Sequence, residues 1–266
     1  MKDLELVQAV LAGNKPQLDS LIQSVQAQIY NLAIRFLWNK EDAEDATQEI
    51  LIKVITNLAR FEGKSTLKTW VYRVTSNHLM NLKKTKVEQT VGSFKDFSED
   101  LNYLPEPESY EGADSRLMER EMKTGCTLAM LQCLNRDQRE AFILGSALKI
   151  NSKKAATITD TTPETFRKRL QQARQQIGTF LESNCGVYNP QNKCRCSKRI
   201  NTAIKHGRIQ PDNLAFTNTI DSFNTEMEEM NSMAGIYQNH SSFKVEEDFT
   251  KELTALLKTS KIINYD

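Results

Sequence analysis

A short segment past the middle of the chain concentrates cationic side chains that could recognise nucleic acid. It reads TTPETFRKRLQQARQQI and spans residues 161–177. Thr162 can cap a helix whose first position suits Pro163, and apolar residues then recur at helical spacing, so one face is predicted to pack on a core. The basic side chains fall largely off that face: Arg167, Lys168, Arg169 and Arg174. They indicate either a solvated cationic face or a helix that reads guanine edges and neutralises phosphates.

The residues before this helix favour DNA binding. The segment NSKKAATIT predicts a short helix, and a turn separates it from the basic helix. Two short helices joined by a turn, with the second helix basic and firmly capped, are typical of a helix-turn-helix. Lys153 and Lys154 of the first helix add cations for phosphate contacts. The second helix is therefore predicted to enter a major groove.

A second cationic region combines basic and aromatic side chains. Residues 64–86 contain no acid, and the predicted helix 66–84 carries Trp70, Tyr72 and Arg73. Aromatic rings stack on exposed bases for about 1–3 kcal/mol per base, and neighbouring cations follow the backbone. This region is therefore either a surface for single-stranded nucleic acid or a partly buried aromatic cluster with ordinary polar neighbours.

Three cysteines in the last third of the chain could bind metal. Cys185, Cys194 and Cys196, together with His206, would supply a Cys₃His set for zinc. The CxC spacing is less specific than paired CxxC motifs, and nearby basic residues would also favour reactive thiolates. Zinc is the only cofactor that the sequence suggests. A redox switch and three plain reduced thiols remain the alternatives.

Composition excludes several classes of function. No stretch of the 266 residues has the apolar length of a transmembrane helix, and the first residues lack the order of a signal peptide. We expect a cytoplasmic protein with no membrane partner. The sequence shows no phosphate-binding loop, no convincing catalytic triad and only three histidines, so we do not expect an enzyme.

The pattern of the whole chain predicts an all-α fold. Glycine and proline are few, and no strand-like alternation of any length occurs. A net charge of +1 hides blocks of opposite sign, and one helix begins with the acidic run EDAEDATQE. That run is either a solvated helix start or a surface for docking another protein. The predicted pieces are a helical module at 1–86, a flexible acidic linker at 87–115, a second helical module at 116–183 and an extension at 184–266 with a closing helix around 247–258.

Two runs of the sequence resemble a known family. The run NKEDAEDATQEILIKVITNLARFEGKSTLKTWVYRVTSNHLMNLKK resembles region 2 of the sigma-70 family, in its small extracytoplasmic-function (ECF) group. The segments LNRDQREAFIL and TPETFRKRLQQAR are similar to region 4 of that family. The resemblance covers roughly residues 15–183. It implies a factor that binds core RNA polymerase, directs it to promoters and helps to melt the −10 region.

The resemblance also implies partners and residue roles. The partners are promoter DNA and core polymerase, through its β′ clamp helices and its β subunit, with an anti-sigma factor as a further candidate. The positions that grip the clamp helices are Asp42, Asp45, Gln48 and Glu49. Those that melt and hold the −10 element are Lys64, Ser65, Trp70, Tyr72, Arg73 and Asn77, followed by Lys83 and Lys84. Those that read the −35 element are Glu164, Thr165, Arg167, Lys168, Arg169 and Arg174, with Lys153 and Lys154 on the partner helix.

The chain departs from the family pattern in the helix-turn-helix. Asp160 stands where the turn usually has glycine, and Lys153 and Lys154 stand where acids are common. Aspartate tolerates the left-handed conformation better than most residues, so we expect the turn to form. Two other functions remain open: a stand-alone helix-turn-helix regulator, and an anti-sigma-like interaction protein that would inhibit polymerase.

Overall fold

The fold of the described chain is helical, which confirms the predicted all-α class. The computed structural model describes residues 2–90, 92–103, 109–216, 249, 250 and 253. In these residues the one β-type feature is an isolated bridge between Cys185 and Cys194. Most of the closing helix predicted around 247–258 lies outside the described residues.

Eleven α-helices are described in these residues. They are α1 Lys2–Leu11, α2 Lys15–Leu37, α3 Lys40–Thr56, α4 Leu67–Asn81, α5 Lys86–Thr90, α6 Phe94–Tyr103, α7 Ser115–Gln132, α8 Arg136–Phe142, α9 Ser152–Ile158, α10 Pro163–Asn184 and α11 Cys196–Lys205. A 3₁₀ turn lies at Leu58–Arg60, and a π-helical turn lies at Ile143–Ala147. Within the described part of the chain, no helix combines the length and the apolar composition needed to cross a bilayer.

The chain forms two compact units. The first unit comprises residues 1–85, 151–166 and 242–266, and the second comprises residues 86–150 and 167–241. The core of the first unit lies between α2, α3 and α4, where Ile22, Ile29, Ile50 and Val71 are fully buried. Each such side chain contributes about 1.5–3 kcal/mol through burial. This core fixes the surfaces of α3 and α4 that face solvent.

Side-chain caps set where the helices of the first unit begin. Asn14 accepts a hydrogen bond from the Gln17 amide at the start of α2, and Asn39 accepts one from the Asp42 amide at 2.8 Å at the start of α3. Thr66 does the same for the Thr69 amide at the start of α4. Each cap satisfies one of the amide groups that a helix start leaves unpaired, which contributes about 0.5–2 kcal/mol.

The segment expected to be a flexible acidic linker instead contains α5 and α6, which pack within the second unit. The Glu88 carboxylate of α5 contacts the guanidinium groups of Arg136 and Arg139 at 2.6 and 2.8 Å. The rings of Phe94 and Phe97 on α6 lie 5.4 and 5.0 Å from that of Phe180. The acidic composition predicted a flexible segment. The ion pairs of Glu88 and the aromatic contacts of Phe94 and Phe97 instead hold the two short helices on the second unit.

The described part of the extension, up to residue 216, packs on α7. Met118 of α7 joins a buried apolar cluster with four residues of the extension: Ile200, Ala203, Ile209 and Leu214. The buried Glu121 carboxylate of α7 accepts hydrogen bonds from the amides of Ala215 and Phe216 at 2.8 and 3.1 Å. This part of the extension and α7 therefore share one core.

Candidate nucleic-acid interface and polymerase-binding surface

The helix-turn-helix forms as predicted. Asn151 caps α9 by accepting from the Lys154 amide at 3.0 Å, and Thr162 caps α10 by accepting from the Thr165 amide at 3.1 Å. Asp160 lies between the two helices with φ of 51°, in the left-handed region. Aspartate thus takes the backbone conformation for which glycine is usual at this turn.

The faces of α10 separate apolar from basic side chains. Phe166, Ala173 and Ile177 are buried, which confirms the predicted apolar stripe, and Leu170 is half-buried. The side chains exposed on the other face are Glu164, Thr165, Arg167, Lys168 and Arg174, and Lys153 and Lys154 of α9 are exposed as well. Exposed cations therefore lie on the solvent side of both helices.

Two of the predicted DNA-reading arginines also make contacts within the protein. Arg169 is half-buried and forms an ion pair with Asp137 at 3.2 Å. The Nε–H group of Arg174 donates to the Ser146 hydroxyl at 3.0 Å. Both side chains therefore also fix α10 against neighbouring helices, a role that the sequence pattern did not indicate.

Most of the predicted −10 surface on α4 is accessible. Arg73, Asn77, Lys83, Lys84 and Lys64 are exposed, and Ser65 and Trp70 are half-buried. The Trp70 ring meets the Phe61 ring edge-on at 5.8 Å, which holds the indole near the loop before α4. Lys64 forms an ion pair with Glu62 in that loop. The surface thus brings one aromatic ring together with several cations and amides.

Tyr72 does not belong to this surface. It faces inward with Thr75, Ser76 and Leu79 and is only 8% exposed. Burial raises the pKa of its hydroxyl, while the nearby Arg35 guanidinium acts in the opposite direction. Tyrosine at a mixed polar and apolar helix position can face either way, and here the α2–α4 packing places it in the core. The structure thus places Tyr72 in the core, away from the exposed surface for which its contact with DNA is predicted.

Arg35 is a buried charge that sequence patterns did not reveal. Its Nη1 group donates to the backbone oxygen and to Oδ1 of Asn31 at 2.9 and 2.8 Å. Burial lowers the pKa of Arg35 to about 10, and Tyr72 acts in the opposite direction. Asn31, one turn before Arg35 on α2, is the sequence feature that could have indicated this buried pair. The pair fixes the inner face of α2 behind α4.

Arg73 lies beside the turn of the helix-turn-helix within the first unit. Its Nη2 group is 3.3 Å from Oδ1 of Asp160, and both side chains are largely exposed. Arg73, which is predicted for the −10 surface, thus contacts Asp160, which lies in the turn before α10. An exposed pair of this kind contributes about 0–1 kcal/mol and is screened by salt.

The acidic start of α3 exposes the residues predicted to contact polymerase. Asp45 and Glu49 are exposed, and Asp42 and Gln48 are half-buried. Ala43, Ala46 and Ile50 face the core on the other side of the helix. The acids are therefore held at the surface by the burial of the opposite face.

A buried histidine supports this acidic face from α4. The Nδ1 atom of His78 is hydrogen-bonded to the Lys53 ammonium, and its Nε2 atom lies 3.5 Å from the Glu49 carboxylate. Burial lowers the pKa of His78, the Lys53 charge lowers it further, and Glu49 acts in the opposite direction. Neutral imidazole fits these partners, because Nδ1 can then accept from lysine while Nε2–H points toward Glu49.

The lowered pKa of His78 predicts a loss of stability in mild acid. The unfolded chain takes up a proton near pH 6.5, whereas the folded chain does so only at lower pH. Stability should therefore fall as the pH drops below about 6.5, with a slope of at most about 1.4 kcal/mol per pH unit from this group.

Chemical denaturation of the first unit between pH 5 and pH 8, followed by tryptophan fluorescence, measures this slope. The His78→Gln variant should flatten it. The His206→Gln variant, which removes an exposed histidine of the second unit, controls for the loss of a histidine elsewhere in the chain. A slope that is the same in the wild type and in His78→Gln would contradict the prediction.

The structure does not bring the four residues of the predicted Cys₃His zinc site together, because His206 lies too far from Cys196. Cys196 begins α11 and His206 follows its last residue, so helical rise separates their backbones by about 15 Å. Side chains of cysteine and histidine cannot span that distance to share one ion. Within the described ranges, no three cysteine, histidine or carboxylate side chains are arranged to hold a metal ion.

Comparisons with known proteins find a family model and several similar chains. Residues 21–87 match the family model for sigma-70 region 2. The RNA polymerase sigma-H factor of Pseudomonas aeruginosa is 30% identical over 186 residues, which cover 68% of this chain and 94% of that protein. The ECF RNA polymerase sigma factor EcfG of Rhodopseudomonas palustris is 28% identical, over 62% of this chain and 87% of that protein.

A solved structure is also similar. It contains the sigma factor RpoE in complex with the anti-sigma factor NepR from Bartonella quintana, with 22% identity and a TM-score of 0.41, covering 61% of this chain and 95% of that chain. The sequence relatives define the class: this chain belongs to the sigma-70 family of RNA polymerase sigma factors. Within that family it is an ECF sigma factor, a transcription initiation factor. The predicted family is thereby confirmed.

Proposed function

We propose that this ECF sigma factor binds core RNA polymerase through α3, reads the −35 element through α10 and holds the melted −10 strand through α4. The observation that carries the proposal is the separation of exposed charge: acids on α3 and cations with one indole on α4 and α10. Polymerase would supply the catalysis, so the chain itself would not be an enzyme. It would act in the cytoplasm with the polymerase, and an anti-sigma factor could regulate it.

The contact with polymerase would use the exposed acidic face of α3. Asp42, Asp45 and Glu49 lie at helical spacing on one side, and Gln48 lies beside them. Carboxylates at a protein interface favour a basic partner surface and speed its association. The clamp helices of the β′ subunit are the partner that the family implies, with the β subunit as a second contact.

The −10 contact would combine the Trp70 indole with polar and cationic neighbours. A half-buried indole can stack on a base that has left the duplex, and Asn77 can hydrogen-bond to base edges. The cations that would follow the strand backbone are Lys64, Arg73, Lys83 and Lys84, with Ser65 in the loop before α4. Tyr72 supports this surface from the core and makes no contact with DNA.

The −35 contact would use the exposed N-terminal half of α10. Glu164, Thr165, Arg167 and Lys168 would face base edges and nearby phosphates in the major groove. Arg169 and Arg174 would position the helix through Asp137 and Ser146 and reach the backbone beside it. Lys153 and Lys154 would bind phosphates next to the turn.

In vitro transcription with purified core polymerase tests the proposed function. The chain should direct initiation from a cognate promoter fragment selected from a promoter library, and it should bind the same duplex poorly without polymerase. Promoter binding that needs no polymerase would indicate a stand-alone regulator. Inhibition of polymerase without initiation would indicate an anti-sigma-like protein. Either result would overturn the proposal.

Substitutions on α10 and α9 should separate base reading from phosphate binding. Arg167→Ala should reduce −35-dependent initiation by roughly 5- to 150-fold, the equivalent of the 1–3 kcal/mol that a bidentate contact with a base contributes. Lys153→Ala should weaken binding at all promoters alike and lower the salt dependence by about one phosphate contact.

Gln175 is the matched control on the same helix, because it is exposed beyond the proposed reading positions. Gln175→Ala should initiate like the wild type. If Arg167→Ala loses activity equally on promoters with and without a −35 element, the assignment of base reading to α10 fails.

A further inference from the structure

A cavity of about 320 Å³ lies within the second unit, where the extension begins. It is lined by the end of α6, the end of α10, the loop 191–194 and the first turn of α11. Binding sites for small organic molecules begin at roughly this volume. The cavity is therefore large enough for a small molecule and not only for a single ion.

The side chains that line the cavity suit an anion. The described lining residues include three cations and no acid, and the cations are Lys193, Lys198 and Arg199. Neutral amide and hydroxyl groups make up much of the remainder, among them Asn102, Ser183 and Gln191. A cleft with one sign of charge concentrates ions of the opposite sign.

Arg199 carries a hydrogen-bond donor that the protein does not use. Its Nη2 group donates to the Leu101 carbonyl at 2.8 Å, which fixes the guanidinium between α6 and α11. Its Nη1 group is buried and has no hydrogen-bond partner in the described part of the chain. A buried charged donor without a partner costs free energy, and a ligand oxygen in the cavity would recover it. Arg199 therefore points to a ligand that accepts hydrogen bonds.

The backbone at the start of α11 adds a field of the same sign. The residue before the helix, Arg195, gives it no side-chain cap. The first amide groups of a helix carry partial positive charge and attract anions. Lys198 and Arg199 are the third and fourth residues of α11, so the cavity lies beside the positive end of this helix.

Hydrogen bonds hold the walls of the cavity in place. The Ser98 hydroxyl of α6 donates to Oδ1 of Asn184, near the end of α10, at 2.7 Å. The side-chain amide of Asn192 in the loop donates to the Glu182 carbonyl at 2.8 Å. A site whose walls are already ordered loses little conformational entropy when a ligand binds.

We propose that this cavity binds a small phosphorylated molecule whose phosphate accepts hydrogen bonds from Arg199 and Lys198. Guanidinium groups bind phosphate oxygens through parallel N–H groups, and a phosphate monoester carries about two negative charges at neutral pH. The organic part of the ligand would lie against the amide and hydroxyl groups of Gln191 and Ser183.

The site is separate from the proposed reading positions on α10. Ser183 lies fifteen residues beyond Lys168 on that helix, which is about 22 Å along its axis. A ligand in the cavity would join α6, α10 and α11, and so strengthen the attachment of the extension to the second unit. This binding activity goes beyond the proposed function in transcription.

Isothermal titration calorimetry of the purified full-length chain tests the site. The probes are adenosine 5′-monophosphate and inorganic phosphate, and both should bind saturably with one molecule per chain. Adenosine, which lacks the phosphate, should bind far more weakly. Arg199→Gln should weaken binding of the monophosphate by roughly 10- to 150-fold, as expected for the loss of a hydrogen bond to a charged group.

Lys198→Gln is the second variant, because it leaves the bond between Arg199 and Leu101 intact. It should weaken binding of the monophosphate by about fivefold or more. Lys205→Gln is the matched control, since it removes the same charge from the last residue of α11, which does not line the cavity. It should bind like the wild type. Melting curves without ligand establish that each variant is folded.

Three results would overturn the proposal. The first is the absence of saturable binding of both phosphate probes at millimolar concentration. The second is an equal loss of binding in Lys198→Gln and Lys205→Gln, which would indicate general attraction by positive charge. The third is binding of a DNA duplex that depends on Lys198 while neither phosphate probe binds, which would assign these cations to a nucleic-acid backbone. None of these measurements uses transcription, so the cavity and the sigma-factor function are tested separately.

Discussion

Replacing Glu88 by alanine should destabilise the second unit by about 3–5 kcal/mol, because it leaves buried cations without their carboxylate. The side chains of Glu88 and Arg139 are each 3% exposed. The Arg139 guanidinium also donates to the Leu131, Gln132 and Leu134 carbonyls at the end of α7. Burial lowers the pKa of Arg139, and the Glu88 charge raises it. The Glu88 carboxylate therefore stabilises the charged guanidinium in the interior.

Glu99 provides a matched control for Glu88. It pairs with Lys95 on α6 at 3.7 Å, and both side chains are largely exposed. Glu99→Ala should therefore change stability by less than about 1 kcal/mol. Unfolding in denaturant followed by circular dichroism, together with hydrogen exchange of the amides in α7 and α8, measures the two variants.

Tryptophan fluorescence adds an internal reference to this experiment. The two tryptophans of the chain, Trp38 and Trp70, both lie in the first unit. Glu88→Ala should lower the protection of α7 and α8 with a smaller effect on the fluorescence transition. If Glu88→Ala and Glu99→Ala unfold alike, the buried pair does not hold α5 on the second unit.

Trp70→Ala should reduce promoter opening by roughly 5- to 150-fold while closed-complex formation changes little. This range corresponds to the 1–3 kcal/mol that one base stacked on an aromatic ring contributes. The indole can act only once the strands have separated, so its loss should appear in the opening step. Permanganate reactivity of thymines in the −10 element reports opening, and gel mobility at low temperature reports closed complexes.

The Trp70→Ala experiment needs a control for folding, because Trp70 also contacts Phe61. The Trp70 ring packs edge-on against Phe61, so the alanine variant also loses some stability. Trp70→Phe keeps an aromatic face and should retain most of the opening activity. Normal opening by Trp70→Ala, in protein shown to be folded by its melting curve, would remove the indole from the melting mechanism.

Local rules predicted much of the fold and of the helix-turn-helix. Thr162 caps α10 and Phe166, Ala173 and Ile177 are buried, because capping and helical periodicity involve residues only a few positions apart. The left-handed conformation of Asp160 was expected from the family pattern, in which glycine is usual at this turn, and from the tolerance of aspartate for that region. These features depend on residues close together in the chain, so a single sequence is enough to predict them.

Features that depend on distant partners were not predictable in this way. Glu88 meets arginines about fifty positions away, and this contact turned an expected flexible linker into ordered helices. Tyr72 faces the core because α2 places Arg35 and apolar side chains against that side of α4. Periodicity shows which residues share a face, but tertiary packing decides what that face meets.

The shared core of α7 and the extension has a consequence for hybrid proteins. A shortened chain ending near residue 183 would uncover Met118 and leave the Glu121 carboxylate without the two amides that it binds. Exchanging the helix-turn-helix part of the chain with that of a relative would meet the same difficulty if the junction fell between α10 and α11. A transplanted segment would therefore have to run at least from the start of α5 to residue 216, so that Glu88 and the core shared by α7 and the extension keep their partners.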